Sequence, residues 1–322
     1  MIAAAIAFLV ALLTGLAAMP WVIDRLTVAG LTGNDVNKPD RPSVPNIGGI
    51  AVAFSLAFGV LVAIAVSATG AIPSISVTPM LGALSCVLVV AMIGLADDLL
   101  RMPPPLKGTL PILAAIPLIV TGDGSTSVAF PVIGAVSFGL LYPLVLVPIG
   151  VTGAANVTNM LAGFNGLEAG MGSVACLSLG LIALKDGHPE SAVLLFAMLG
   201  ALVVLLRFSW FPARVFPGDT ATLSIGAVLA AAVVTGRYEI AGVIVIIPYA
   251  IDFVIKARNR FPSTEWWGTW VDGKLTHEGR PMGLGQLVMR LTGGVTERRL
   301  VSMLIGLEVI AGAVAVVVTV RL

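Results

Sequence analysis

Charged residues are scarce in this sequence. Of 322 residues only 11% are Asp, Glu, Lys or Arg, whereas soluble globular domains carry about 25%. Hydrophobic residues make up 58%, and the mean hydropathy is +1.04. This composition excludes an ordinary soluble domain and favours bilayer-spanning helices, each of which needs about 20 mostly apolar residues. The sequence therefore predicts one integral membrane domain over residues 1–322.

Cysteine is nearly absent as well. Cys86 and Cys176 lie inside apolar runs and lack metal-ligand spacing, so we expect neither a disulfide framework nor a thiolate metal site. The sequence also lacks a phosphate-binding P-loop, a dinucleotide fingerprint, a His-Glu-x-x-His zinc motif and a Gly-x-Ser-x-Gly elbow. Any chemistry must therefore use carboxylates, amides and cations.

Apolar runs between polar segments predict ten membrane spans. They lie near residues 1–23, 46–68, 79–96, 109–121, 128–150, 169–184, 191–206, 221–235, 240–256 and 300–320. The first run lacks the basic start of a signal peptide, so we expect it to be retained as a span. The expected fold class is all-α, a polytopic bundle of about ten transmembrane helices. One long polar loop, residues 257–299, separates the last two spans.

Basic residues are concentrated in alternate gaps between these spans. Of the 18 Lys and Arg residues, all but Lys185, Arg237 and Arg321 lie in the odd-numbered gaps, which makes fifteen. Alternate gaps share one side of the bilayer, and the positive-inside rule assigns that side to the cytoplasm. The polar clusters occupy the same gaps. The sequence therefore predicts a multi-pass protein of the cell membrane whose active site faces the cytoplasm and handles an anionic substrate.

Two adjacent acids, Asp97 and Asp98, stand at the end of the third span. Carboxylates at a membrane boundary are costly unless a divalent cation, or a proton to be transferred, compensates them. Lys107 follows and is a point charge suited to phosphate. The alternative is a charged helix end with a snorkelling lysine.

Three amides fall within ten residues: Asn156, Asn159 and Asn165. A helical turn would place Asn156 and Asn159 on one face. Gly163 and Gly166 permit a positive φ or a close backbone approach around Asn165. Unpaired amides are costly in hydrocarbon, which favours a ligand-facing role over the alternative, a helix cap and turn.

Further polar candidates lie near the eighth and ninth spans. Asp219 is placed either to cap a helix or to coordinate a metal-bound phosphate at its N-terminus. On an extended backbone, Arg258 and Arg260 would aim together at one target such as a diphosphate. Asp252 is an intramembrane acid, and we expect it to pair with Lys256 four residues on. The three tryptophans that follow are expected to anchor the loop at the membrane interface; they are Trp266, Trp267 and Trp270.

These motifs together resemble the polyprenyl-phosphate N-acetylhexosamine-1-phosphate transferase family, glycosyltransferase family 4. The run Asn159–Glu168 is similar to the Asn-Ile-Leu-Ala-Gly-Ile-Asn-Gly-Leu-Glu of its dolichyl-phosphate GlcNAc-1-phosphate transferase branch. The run Arg258–Pro262 resembles that branch's Arg-His-Arg-Met-Pro. Asn259 replaces the branch's histidine and Asn46 replaces its glutamate. The absence of a histidine-rich loop argues against a MurNAc-pentapeptide substrate.

The resemblance implies a reaction and a set of partners. HexNAc-1-phosphate, most of all GlcNAc-1-phosphate, would pass from a UDP-sugar to a polyprenyl or dolichyl phosphate, giving UMP and a lipid-linked diphosphate sugar. The implied cofactor is Mg²⁺, with Mn²⁺ as an alternative. The resemblance allows for a homodimer, and no nucleic acid is expected as a partner.

The resemblance also implies roles for individual residues. Asp97, Asp98 and Lys107 would act in catalysis and in handling the acceptor phosphate. Asn159 and Asp219 would hold the metal. The residues implied or predicted to bind substrate are Asn156, Gly163, Asn165, Phe216, Arg258 and Arg260.

A secondary transporter or channel is the alternative class, with Asp97, Asp98 and Asp252 as proton or ion sites. Transporters usually place such groups near the bilayer midplane between two related halves. Here the polar groups gather at the ends of spans and no related halves are visible, which favours the enzyme. A CDP-alcohol phosphotransferase would need an Asp-Gly-x-x-Ala-Arg element, which is absent.

Overall fold

The computed structural model describes residues 1–122, 124–130, 133–262 and 266–320. In this part of the chain ten helical segments have the length and apolarity of membrane spans. They are Ile2–Val28, Gly49–Ala68, Val77–Leu100, Pro104–Thr121, Tyr142–Met160, Leu167–Asp186, Pro189–Ser209, Gly218–Gly236, Glu239–Arg258 and Glu297–Thr319. The prediction of a polytopic all-α bundle with ten spans is thereby confirmed.

Most spans are single helices. We label them α1 (Ile2–Val28), α2 (Gly49–Ala68), α3 (Val77–Leu100), α7 (Val147–Met160), α8 (Leu167–Asp186), α9 (Pro189–Ser209), α10 (Gly218–Gly236), α11 (Glu239–Arg258) and α13 (Glu297–Val320). The fourth span is three short helices, α4 (Pro104–Thr109), α5 (Pro111–Ala114) and α6 (Ile116–Thr121). Pro111 and Pro117 interrupt it because proline lacks an N–H and clashes with the preceding turn.

The fifth span was placed wrongly at residues 128–150. The strands β3 (Ser127–Phe130) and β4 (Gly134–Ser137) form an antiparallel hairpin there, and the span is a π-helical turn, Tyr142–Leu146, continuing into α7. Short apolar runs with β-branched residues suit a strand as well as a helix, which explains the error. Residues 131 and 132 of the predicted span lie outside the described residues. The shift puts Asn156 and Asn159 inside a helix.

Two further hairpins and a short helix lie between the spans. The strands β1 (Thr32–Asn34) and β2 (Ser43–Pro45) pair between α1 and α2. The loop predicted at residues 257–299 contains β5 (Thr269–Val271), β6 (Lys274–Thr276) and α12 (Leu284–Thr292). Residues 263–265 of this loop, and Arg321, lie outside the described part of the chain.

Close helix packing brings one end of the bundle together. A methyl group on Gly94 of α3 would overlap the backbone of Asp219 at the start of α10. One on Gly226 of α10 would overlap the backbone of Ala154 in α7. Small residues let membrane helices approach in this way. The end of α3, the start of α10 and the end of α7 therefore meet, and the candidate site lies where they do.

Candidate active site

An ion cluster joins three spans at this end of the bundle. The Nζ atom of Lys107, in α4, lies 2.9 Å from Oδ2 of Asp97 and also contacts Oδ2 of Asp219. Asp97 is in the last turn of α3 and Asp219 is in the first turn of α10. The side chains of Lys107 and Asp219 are 20% and 26% exposed, so a ligand can reach them. Three predicted site residues are thus brought into direct contact.

Asp98 has a different environment from its neighbour. Its Oδ1 accepts the backbone N–H of Asp219 at 2.8 Å, and its Oδ2 accepts the N–H and the hydroxyl of Thr220 at 2.9 and 2.7 Å. The first N–H groups of a helix have no partner within the helix. A carboxylate from α3 therefore caps α10 and holds the backbone of Asp219. The two acids predicted together for catalysis occupy distinct positions.

We expect Asp98→Asn to destabilise the protein by about 1.5–3 kcal/mol, because an amide nitrogen cannot accept the donors of Thr220. The measurement is thermal unfolding of the detergent-purified variant beside Asp40→Asn. Asp40 is exposed, so the same chemical change there should leave Tm unchanged. Equal Tm values for the two variants would contradict the capping role.

The two amides of α7 face α4 and α10, as the helical spacing predicts. The Nδ2 atom of Asn159 donates to Oγ1 of Thr222, three residues after Asp219 in α10, at 2.8 Å. The Nδ2 atom of Asn156 donates to the carbonyl of Gly108 at 3.0 Å, next to Lys107 in the chain. Asn159 is therefore placed beside Asp219. Asn156 holds the backbone that carries Lys107.

A cavity of about 310 Å³ opens beside the ion cluster. Its wall includes residues 33–36, 162–166 and 216–219, together with Asn46, Asp98, Glu168 and Trp266. Gly163, Asn165, Phe216 and Asp219, which were predicted from separate motifs, thus line one space. Small-molecule sites in proteins begin at about this volume.

Backbone hydrogen bonds place Phe216 in this wall. Its N–H donates to the carbonyl of Pro45 at 2.8 Å, and its carbonyl accepts the N–H of Gly48 at 2.9 Å. Its ring packs against Gly33 of β1. The β1–β2 hairpin and the start of α2 therefore position the aromatic ring beside Asp219.

The turn of residues 162–166 requires glycine at one position. Gly163 has a φ of +103°, and a side chain there would overlap the indole of Trp266. The rings of Phe164 and Trp266 meet edge to face, with centroids 6.0 Å apart. The space left at Gly163 admits the indole of Trp266 into the cavity wall, a position that its expected role as an interfacial anchor did not indicate. Trp270 is exposed.

Asn165 belongs to a buried ring of four residues, Asp35, Lys38, Asn165 and Glu297. Its Nδ2 donates to Oδ2 of Asp35 at 3.0 Å, and its N–H donates to Oε1 of Glu297 at 2.8 Å. Lys38 closes the ring, 2.9 Å from Asp35 and in contact with Oε2 of Glu297. Sequence reasoning missed Asp35, Lys38 and Glu297. The only signal was their charge in a chain with little charge, since their partners lie far away in sequence.

The two arginines of the long loop lie apart from the cavity. Arg258 is the last residue of α11 and Arg260 has a left-handed φ of +59°, so the extended backbone on which a common target depended is not present. Both side chains are exposed, and neither lines the cavity. Asn259 between them donates to the carbonyl of Pro281 at 2.9 Å.

Asp252 pairs with Lys256 at 2.8 Å, which confirms the prediction. The Oδ1 atom of Asp252 also accepts the N–H of Leu284 at 2.7 Å and thereby caps α12. Lys256 donates in turn to the carbonyl of Met160. Asp252 and Lys256 therefore connect α11 to the start of α12 and to the end of α7.

The donor groups of the cluster suit a magnesium ion shared with a substrate. Within the described residues, no group of three Asp, Glu, His or Cys side chains has the geometry to hold a metal. Protein-bound Mg²⁺ usually takes one or two carboxylates and completes its shell with water and substrate phosphates. Asp219 lines the cavity, and the Asn159 amide is hydrogen-bonded to Thr222, which lies one helical turn after Asp219 in α10. These residues fit such an ion.

The chain is similar to known proteins over most of its length. The model of glycosyl transferase family 4 matches residues 80–237. The chain is 31% identical to a putative UDP-N-acetylglucosamine–dolichyl-phosphate N-acetylglucosaminephosphotransferase of Saccharolobus solfataricus, over 92% of this chain and 91% of that protein. It is 33% identical to the protein of the same name from Sulfolobus acidocaldarius, over 92% and 90%. A Saccharomyces cerevisiae protein named as this transferase is 29% identical, over 72% and 62%.

Proposed function

The chain belongs to glycosyl transferase family 4, and we propose that it transfers N-acetylglucosamine-1-phosphate from UDP-N-acetylglucosamine to a polyprenyl or dolichyl phosphate. The products would be UMP and a lipid-linked diphosphate sugar. One observation carries the proposal: Lys107, Asp97 and Asp219 converge beside a cavity at the end of a membrane-spanning bundle. A water-soluble donor and a lipid acceptor can meet there.

The cavity is proposed to hold the nucleotide end of the donor. The aromatic rings of Phe216 and Trp266 in its wall suit a base, and the turn around Gly163 offers backbone groups close to it. The diphosphate would then lie toward Asp219 and Lys107. When bound, Mg²⁺ would neutralise the diphosphate and stabilise the leaving UMP, with Asp219 and Asn159 as its protein ligands.

Phosphoryl transfer asks a protein mainly to align the reactants and to offset charge. Lys107 would attract the acceptor phosphate, because its ammonium group is the cation of the cluster. It lies between Asp97 at the end of α3 and Asp219 at the start of α10. Asp97 would hold that cation in place and accept the proton of a monoprotonated acceptor. Asp98 would keep the start of α10, and so Asp219, in position.

The acceptor's tail is proposed to lie in an apolar groove of about 380 Å³ between α7, α10 and α11. The groove is lined by three glycines, Gly150, Gly153 and Gly242. Its lining also includes Ala154 and Val157, which precede Asn159 in α7. An apolar groove suits an isoprenoid chain, because burying each CH₂ group is favourable by about 0.8 kcal/mol. The phosphate would then reach Lys107 from the bilayer side.

We place this end of the bundle in the cytoplasm. The odd-numbered gaps that form it contain fifteen of the 18 Lys and Arg residues. Cytoplasmic loops carry such an excess of basic residues. A UDP-sugar made in the cytoplasm would then have direct access to the cavity.

The test is UMP release by purified protein incubated with Mg²⁺, polyprenyl phosphate and a panel of UDP-sugars. We expect UMP from UDP-N-acetylglucosamine, with a matching lipid-diphosphate product by mass spectrometry and none when the lipid is omitted. UDP-MurNAc-pentapeptide serves as the contrasting donor. If the protein released UMP from none of the UDP-sugars, the proposed enzyme activity would be refuted and the transporter alternative would have to be tested.

A further inference from the structure

Four polar groups of the turn of residues 162–166 are hydrogen-bonded to side chains outside the turn. The N–H of Gly163 donates to Oε1 of Glu168 at 2.6 Å, and its carbonyl accepts from Nδ2 of Asn37 at 2.9 Å. The N–H of Asn165 is held by Glu297 and its side chain by Asp35. The groups that bind this turn come from three parts of the chain: residues 35–37, Glu168 and Glu297. Its shape is therefore a property of the tertiary structure.

Glu297 acts on the cavity without lining it. It is the first residue of α13, and its side chain is 4% exposed. One carboxylate oxygen accepts the Asn165 N–H and the other contacts Lys38. Lys38 in turn lies over the ring of Phe211, 4.6 Å from its centroid. Hydrogen bonds to ionised groups are about twice as strong as neutral ones. The bond from the Asn165 N–H to the Glu297 carboxylate is therefore suited to fixing the backbone of the turn.

The same contacts connect the turn to the long loop. Val295, two residues before Glu297, exchanges backbone hydrogen bonds with Leu275 of β6 at 2.8 and 3.0 Å. The Oδ1 atom of Asn37 accepts the N–H of Gly268 at 3.4 Å, while its Nδ2 holds Gly163. The β5–β6 hairpin and the turn are therefore joined through Glu297 and through Asn37.

We propose that Glu297 is a positioning residue for the donor nucleotide: with Lys38, it holds the turn in the shape in which Gly163 and Asn165 meet the nucleotide. This inference rests on the proposed function. The cluster of Lys107, Asp97 and Asp219 has no hydrogen bond or ion pair to Glu297. Loss of the Glu297 carboxylate should therefore weaken donor binding and spare the chemical step.

The test is Glu297→Gln. Glutamine has the same length and can still accept one N–H, but it cannot neutralise Lys38. We expect KM for the UDP-sugar to rise about tenfold, since small displacements of a binding group have effects of this order or larger. We expect kcat and KM for the lipid phosphate to stay at the wild-type values. Hydrogen exchange of the peptide covering residues 161–167 should become faster.

Glu278→Gln is the matched control, because it makes the same change on an exposed carboxylate of the same loop. Asn37→Ala is the second variant, in case Glu297→Gln does not fold. It removes the hydrogen bond to the Gly163 carbonyl without leaving a charge unpaired. We expect the same rise in KM for the UDP-sugar. The proposal would be overturned if hydrogen exchange of residues 161–167 and KM for the UDP-sugar were both unchanged. It would also be overturned if kcat and Tm fell while KM for the UDP-sugar stayed the same.

The exchange measurement needs no turnover, so the two proposals can fail separately. If the wild-type protein releases no UMP, the proposed function fails, while faster exchange in Glu297→Gln would still establish that the carboxylate holds the turn. If the wild type is active and neither variant changes the donor KM, the positioning role alone fails.

Discussion

Replacing Asp219 by asparagine should lower kcat for UMP release by about a thousandfold. Removing one group that stabilises charge in a transition state commonly lowers kcat by a factor of about 10²–10³. Asp219 would stabilise charge in two ways. Its carboxylate contacts Lys107, and it is the proposed carboxylate ligand of the metal. The amide of asparagine is uncharged, so the variant would leave the metal with two amides and no carboxylate, whereas protein-bound Mg²⁺ usually has at least one carboxylate. The backbone hydrogen bonds to Asp98 remain, so α10 should keep its position.

The measurement is initial-rate UMP release at saturating substrates and Mg²⁺. Asp272→Asn is the matched control, because Asp272 lies exposed in the β5–β6 turn with a φ of +45° that asparagine tolerates. Its kcat should equal that of the wild type. A kcat for Asp219→Asn within tenfold of the wild type would remove Asp219 from the mechanism.

Lys107→Met should lower kcat by a similar factor and also raise KM for the lipid phosphate. Methionine approximates the length of the lysine stem but carries no charge. The Asp97 and Asp219 carboxylates would then face an incoming phosphate without the cation that contacts both of them. Repulsion among three anionic groups opposes the approach of the acceptor, and removing a cation from a phosphoryl-transfer site costs transition-state stabilisation as well.

Steady-state kinetics in both substrates distinguish this variant from Asp219→Asn, for which the lipid KM should change less. Lys274→Met, on an exposed residue of β6, is the matched control. Size-exclusion profiles and Tm of both variants establish that the bundle is folded. If Lys107→Met kept both kcat and the lipid KM, the lysine would serve only to neutralise two neighbouring acids.

Several features of the site were visible in the sequence. Asp97, Lys107, Asn159 and Asp219 were selected from short polar motifs, and the structure places all four within a few side chains of one another. Such residues stand out because polar groups next to hydrocarbon are costly and are retained where they have partners or a function. The glycine pattern around Asn165 indicated a positive φ or a close backbone approach, and the family resemblance implied that Gly163 and Asn165 bind substrate.

Other features could not be predicted. The β3–β4 hairpin was taken for part of a span because its residues are as apolar as those of a helix. Trp266 was assigned to the membrane interface, since nothing local shows that its indole fits against Gly163. The common target considered for Arg258 and Arg260 depended on an extended backbone, and α11 instead continues through Arg258.

The number of spans and the side on which the basic residues collect follow from the amino-acid sequence, because the thickness of a bilayer and the cost of placing charge in it act on each segment separately. The different environments of Asp97 and Asp98 do not follow from it. Asp98 caps a helix by accepting an N–H that lies 121 residues later, and the ring around Asn165 includes two partners, Lys38 and Glu297, that are 259 positions apart. Contacts of that kind exist only after the helices have packed, since the packing sets which distant donor faces which carboxylate.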